Sequence, residues 1–178
     1  GWLPKKLVNL GLDLRGGAQV LVEVVLEDAY SETILGYWID VRKILRSQRD
    51  SVGTFRRLDQ HPGKLSIEFE DAEKAKLAQK LLTTQNYNVP DLSSLRSDLI
   101  EVTTSEENLN IELSNIQKEN IDKTAMSQSL EIIRRRVDEA GTREPSIQRQ
   151  GVSRILVQVP GMGSAEELLK LIGKTARL

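Results

Sequence analysis

Cysteine is absent from this chain, which removes disulfide staples, thiolate nucleophiles and thiol-based metal sites at once. The single histidine, His61, sits in a Pro- and Gly-containing stretch, with no second histidine to complete a zinc site or a catalytic triad. Aromatic residues are only 4% of the total, so a base-stacking surface of the RNA-recognition kind has few side chains to draw on. Phe55, Phe69 and Tyr87 fall in expected strand regions, but Arg154 to Val159 carries none. Neither sign of charge dominates. The 25 basic and 26 acidic side chains nearly cancel, so no global field draws the chain to nucleic acid or to an anionic bilayer, and any partner must be met by local surface. Long apolar runs are missing too: the most apolar stretch, Val20 to Leu26, is interrupted by Glu23 and falls far short of the roughly 20 residues a membrane-crossing helix needs.

What is present suits a globular fold. The 39% apolar and 29% charged residues, spread over 178 positions, are enough for one ordinary domain or two small cores. Gly1 to Lys6 lacks the apolar core of a signal peptide and reads as a cut through a longer chain. Trp2 beside Lys5-Lys6 suits either residues just outside a membrane helix or an ordinary exposed lead-in.

Periodicity supplies the elements. Ala18 to Leu26 alternates as a long strand, and from Ala29 to Gln48 the spacing of Tyr30, Ile34, Trp38, Val41 and Leu45 changes to that of a helix. Val52 to Leu58 and Lys64 to Phe69 read as strands around a turn at Asp59 to Gly63, followed by a helix from Ala72 to Leu82 capped by Asp71. Thr83 to Leu95 reads as a loop, with a short strand expected at Tyr87 to Val89. A hairpin is expected from Ser97 to Thr103 and Leu109 to Ser114. Ser114 and Gln117 have capping-box spacing ahead of a helix that Gly141 stops; Pro145 to Gln150 and Arg154 to Val159 read as strands; Ser164 and Glu167 open a last helix ending at Gly173. Helix, strand, strand, helix thus occurs twice, which predicts an α+β fold of two ferredoxin-like βαββαβ subdomains, each an antiparallel sheet covered on one face by helices. The expected division is a base made of residues 1–26 and 115–178, its last strand begun at Lys174 to Leu178 and cut short, with residues 27–114 inserted.

Little in the chain points to chemistry. Asp13 and Arg15 alternate with Leu12 and Leu14, so in extended backbone both charges share a face, suited to a partner's backbone or charges or to capping a neighbouring turn. No helix start follows Gly16-Gly17 as a phosphate loop requires, so the pair reads as a bulge or a close backbone crossing. Arg134-Arg135-Arg136 fans around a helix by about 100° per residue and reads as a solvated face paired with Glu131, Asp138 or Glu139, not as a nucleic-acid patch. The carboxylates at Glu68, Glu70, Asp71 and Glu73, or Glu106-Glu107, have no acid-base partner indicated. Nothing requires an enzyme, a cofactor or a metal.

Two distant segments carry a resemblance. The first is Val8-Asn9-Leu10-Gly11-Leu12-Asp13-Leu14-Arg15-Gly16-Gly17. The second runs from Ile132 through Arg134-Arg135-Arg136-Val137-Asp138-Glu139-Ala140-Gly141, Glu144-Pro145, Gln148-Arg149-Gln150-Gly151 and Arg154-Ile155 to Val159-Pro160-Gly161, with Gly173 to Leu178 closing it. In order, spacing and residue type they resemble the SecD family, membrane subunits of the bacterial protein-export machinery. Residues 27–114 match more loosely and resemble the extra segment of longer members. The resemblance implies an extracytoplasmic domain between the first two membrane helices, on the periplasmic side of the inner membrane. It implies SecF and SecYEG as partners, unfolded preprotein as a further contact, and support of export driven by proton-motive force. The family's proton-carrying residues and its mobile head subdomain are not in this chain. By the same resemblance, Asp13, Arg15, Gly16 and Gly17 are hinge or coupling candidates, and Gln148, Arg149, Gln150 and Gly151 are protein-contact candidates. The alternative reading is a freestanding ferredoxin-like regulatory domain binding a small ligand or RNA.

Overall fold

In a computed structural model of the chain, the described residues are 17–58, 61–84, 99–142 and 144–173, together with the backbone course of 6–13. The elements, in chain order, are β1 (Lys6–Asp13), β2 (Gly17–Glu23), α1 (Leu26–Ser47), α2 (Arg49–Val52), β3 (Phe55–Arg57), β4 (Lys64–Phe69), α3 (Ala72–Thr83), β5 (Ile100–Ser105), β6 (Asn108–Leu113), α4 (Asn115–Glu139), β7 (Ser146–Gln150), β8 (Arg154–Pro160) and α5 (Ala165–Gly173). They fall into two compact units, Gly1–Leu26 with Ile121–Leu178, and Glu27–Asn120. The architecture is α+β, with antiparallel sheets covered on one face by helices.

The discontinuous unit holds a sheet in the order β1-β2-β8-β7. Residues of β2 and β8 alternate, so Ala18, Val20 and Val22 share a buried face with Ile155, Val157 and Val159. Met126, Ile133 and Val137 of α4, with Leu168 and Ile172 of α5, pack into the same core. Because β8 runs antiparallel to both β2 and β7, β2 and β7 are parallel to each other and joined through α4, the split βαβ of a ferredoxin-like unit. The edge beside β2, where such a unit sets its closing strand, is held by β1. Lys174 to Leu178, expected to start that strand, lies outside the described residues.

The continuous unit repeats the plan with the order β3-β4-β6-β5. Leu65, Ile67 and Phe69 of β4 and Leu109, Ile111 and Leu113 of β6 form its buried face, with Ala75 and Ala78 of α3 and Ile34, Val41 and Leu45 of α1 also buried. Its helix starts are well specified. Asp71 accepts from the Lys74 amide at 2.8 Å, and Ser114 Oγ accepts from the Gln117 amide at 3.1 Å. The Ser114 amide donates to the Leu99 carbonyl at 3.0 Å, and the Gln117 side-chain amide donates to the Tyr37 hydroxyl at 3.4 Å.

Two expectations change. The strand expected at Val52 to Leu58 shrinks to Phe55–Arg57, because residues 49–52 continue from α1 as the short helix α2. Val52, whose apolar side chain suggested a strand, is buried from within that helix, and the Gly53 amide closes it by donating to the Arg49 carbonyl at 2.9 Å. The opening segment, read as extended backbone around Asp13 with no strand partner assigned, is a full strand over Lys6–Asp13. β1 pairs along β2 from Lys6 opposite Glu23 to Asp13 opposite Gly17, with a register shift between Asn9 and Leu12 that accommodates Leu10-Gly11. The strand expected at Tyr87 to Val89 falls outside the described residues.

Candidate functional site

Gly17 begins β2 and is buried between two neighbours, opposite Asp13 on β1 and Pro160 on β8. A Cβ placed on it would stand 3.0 Å from the Val159 carbonyl oxygen and 3.1 Å from Pro160 Cα, both backbone atoms. The glycine is therefore a close crossing of backbones, one of the two readings open at the sequence level. Arg15 and Gly16 lie outside the described residues. For Asp13 the backbone alone is described, at the end of β1.

Gln148, Arg149 and Gln150 lie on β7, the sheet's opposite edge, and all three are exposed. Gly151 turns the chain into β8 with a φ of +67°. Their hydrogen bonds are local: Gln148 Nε2 donates to Ser146 Oγ at 3.1 Å, and Arg149 Nε donates to the Gly151 carbonyl at 2.8 Å. Nothing in the fold engages the outer edge of β7 among the described strands, so its backbone is open to a further strand. The two candidate groups do not converge. Asp13 lies on the edge strand β1 and Gly17 on the inner strand β2, whereas the second group lies on the other edge; Gly17 faces Pro160 and Gln150 faces Arg154, about 20 Å apart along β8.

Arg134-Arg135-Arg136 divides as its helical fan requires. Arg135 pairs with Glu139 at 3.1 Å on the surface, as expected of a solvated face. Arg136 departs from that reading: it is half-buried and donates to the Ile172 carbonyl at the end of α5. There a cation meets the negative end of the α5 dipole. Burial lowers its pKa from the ordinary arginine value, opposed by Glu139. The pattern Arg136-Val137 beside a later helix ending at Gly173 could have suggested this contact only with the tertiary fold in hand.

Sequence reasoning also missed a cluster in the continuous unit. Trp38, assigned to the buried stripe of α1, is only half-buried; Tyr37 is the buried aromatic. The Trp38 ring meets Phe55 edge-on at 6.5 Å between centroids, Phe55 meets Phe69 at 6.0 Å, and the Arg57 guanidinium lies 5.5 Å from the Trp38 ring centre. Phe55 and Phe69, candidates for a base-stacking platform, are thus spent on each other and on Trp38. Trp38, Phe55 and Arg57 line an open concavity of about 540 Å³ together with Arg42, Arg46 and Arg49. Among the described residues no three His, Asp or Glu side chains converge as a metal site requires.

The comparisons with known proteins bear on the same two segments. Residues 1–25 match the family described as the SecD/SecF GG motif, and residues 126–178 match the N-terminal part of the P1 domain of protein translocase subunit SecDF. The chain belongs to the SecD family. The SecD translocase subunit of Rhodobacter capsulatus is 45% identical over 177 residues, covering 99% of this chain and 32% of that protein. Those of Calditerrivibrio nitroreducens and Magnetococcus marinus are 38% and 34% identical, covering 97% and 99% of this chain and 32% of each relative. The chain therefore spans about a third of the length of these curated relatives. No solved structure matches it. The family match identifies residues 126–178 with the N-terminal part of a P1 domain. Among the described residues no helix is long and apolar enough to cross a membrane.

Proposed function

We propose that this domain serves protein export on the periplasmic side of the inner membrane, holding its SecD-family parent in register with SecF and SecYEG and touching emerging preprotein along β7. The observation that carries the reading is the incorporation of β1 into the sheet. The segment leading into the glycine motif is hydrogen-bonded along β2, and Gly17 is locked against the β8 backbone. A displacement of whatever precedes residue 6 is then passed to the sheet instead of being absorbed by a slack linker. Asp13, Arg15, Gly16 and Gly17 are in this reading the coupling segment, residues 1–26 and 115–178 the base, and residues 27–114 its insertion. The open edge of β7, with Gln148, Arg149 and Gln150 exposed, supplies the contact: an unfolded segment can add to it as a strand whatever its sequence, because the ladder bonds are made by backbone.

A photocrosslinking residue at Gln148 in the full-length parent, in membranes with a stalled preprotein, tests this. Capture of preprotein, SecF or SecY from Gln148, and its loss when the outer edge of β7 is blocked by Arg149→Pro, whose N–H faces away from β8, is the expected result. Equal capture from the exposed helix position Lys170 would refute a β7 contact.

A further inference from the structure

We propose that the exposed face of α1, with the concavity at its C-terminal end, docks on an anionic phospholipid surface. At about 100° per residue, Leu35, Trp38, Ile39, Arg42 and Arg46 fall within an arc of about 100° on α1, and Arg49 of α2 and Arg57 of β3 line the same concavity. Leu35 and Ile39 are 40% and 68% exposed, which is large apolar surface presented to solvent. Arg42, Arg46, Arg49 and Arg57 are exposed as well. Among the described residues none of these four arginines has a carboxylate within ion-pair distance. Of the neighbouring acids, Glu68 pairs with Arg56 at 2.6 Å, and Glu70 accepts from the hydroxyl of Thr54, a lining residue of the concavity, at 2.6 Å, so one carboxylate stands at its rim against four guanidinium groups.

The occupant follows from this composition. A chain with near-zero net charge that gathers four exposed guanidinium groups around one concavity selects a multiply anionic partner. Guanidinium forks match phosphate oxygens. A free phosphate or a phosphorylated solute would use the arginines but leave Leu35 and Ile39 in water. A bilayer surface uses both halves, because the apolar side chains and the Trp38 ring enter the headgroup boundary while the arginines meet lipid phosphates. The Arg57 guanidinium over the Trp38 ring and Phe55 against its edge fix the indole at the mouth of the concavity. This inference concerns the 27–120 unit alone and does not depend on the contact assigned to β7.

The test uses the chain carrying Trp2→Phe, which leaves Trp38 as the one indole. It is titrated with vesicles of phosphatidylglycerol mixed with phosphatidylcholine, and with vesicles of phosphatidylcholine alone, following Trp38 emission and co-sedimentation. Binding to the mixed vesicles with a blue shift, and little to the neutral ones, is expected. Arg42→Gln with Arg46→Gln should weaken it roughly 25-fold, about fivefold per charge, and Ile39→Gln should weaken it further. All three positions are exposed, so circular dichroism should be unchanged. Four results would overturn the proposal: equal binding to neutral vesicles, no response to the arginine variants, no response to Ile39→Gln, which would leave a simple anion site, or binding of polyglutamate without vesicle binding, which would assign the face to an acidic protein.

Discussion

Replacing Gly17 by alanine should destabilise the β1-β2-β8-β7 sheet although it adds a single methyl group. The new carbon would stand 3.0 Å from the Val159 oxygen and 3.1 Å from Pro160 Cα. Both atoms belong to the backbone of β8, which is bonded to β2 along its length, so they cannot rotate away as a side chain would. Overpacking of this kind costs about 1–3 kcal/mol, offset by about 0.4–1 kcal/mol from the lower entropy of the unfolded chain. The net loss spans roughly 0–2.6 kcal/mol and centres on about 1.3 kcal/mol, a fall in Tm of about 3–5 °C at the centre for a chain of this size. Urea unfolding, with hydrogen exchange at the β2 and β8 amides to locate the loss, measures it. Gly36→Ala is the control, since a Cβ there meets nothing within 4 Å in the middle of α1, and helix propensity predicts a gain of about 0.8–1 kcal/mol. If the two alanine variants change stability alike, the close crossing at Gly17 is not what its position implies.

Arg136→Met keeps the apolar stem but removes the donor to the Ile172 carbonyl; the partly exposed site should lose about 1–2 kcal/mol, whereas exposed Arg134→Gln should stay within about 0.5 kcal/mol, and chemical denaturation of the two variants compares them. Glu70 is held below the ordinary carboxylate pKa chiefly by the Thr54 hydroxyl and then by the Thr54 amide. A depressed folded-state pKa contributes stability above the unfolded value that is lost as pH falls through the folded one, so the NMR midpoint of Glu70 should lie below that of a free glutamate and rise in Thr54→Val. A midpoint unmoved by that substitution would contradict the assignment.

Much of the fold was legible because its strands alternate cleanly. Leu65, Ile67 and Phe69, or Ile155, Val157 and Val159, sit on the buried faces that their spacing predicts. Asp71 and Ser114 cap where their positions suggested. The failures have physical causes. Val52 is apolar next to a plausible strand, and only the Gly53 backbone bond reveals a helical turn. Val8, Leu10, Leu12 and Leu14 alternate as a strand requires and the stretch at Asp13 reads as extended, but which strand pairs with it was not legible in the sequence. At the candidate sites, Gly16-Gly17 announced an unusual backbone path but not which strand lies against it. The spacing of Trp38, Arg42 and Arg46 was visible in the sequence, yet Trp38 next to Tyr37 leaves open which ring turns inward, and burial decides for Tyr37.

The pairing of β2 with β8 has a consequence for the order in which the chain becomes structured. Gln19 meets Gln158, and their side chains bond at 3.1 Å across 139 positions of sequence, whereas residues 27–120 form a contiguous unit. As the polypeptide is delivered from its N-terminus, the inner unit can close while β2 still waits for a partner that has not arrived. Closing so long a loop costs entropy, and a folded insertion shortens the flexible chain that must be closed. The β1-β2 hairpin is thus the first piece of its sheet to be made, and the sheet the last part of the chain to be finished.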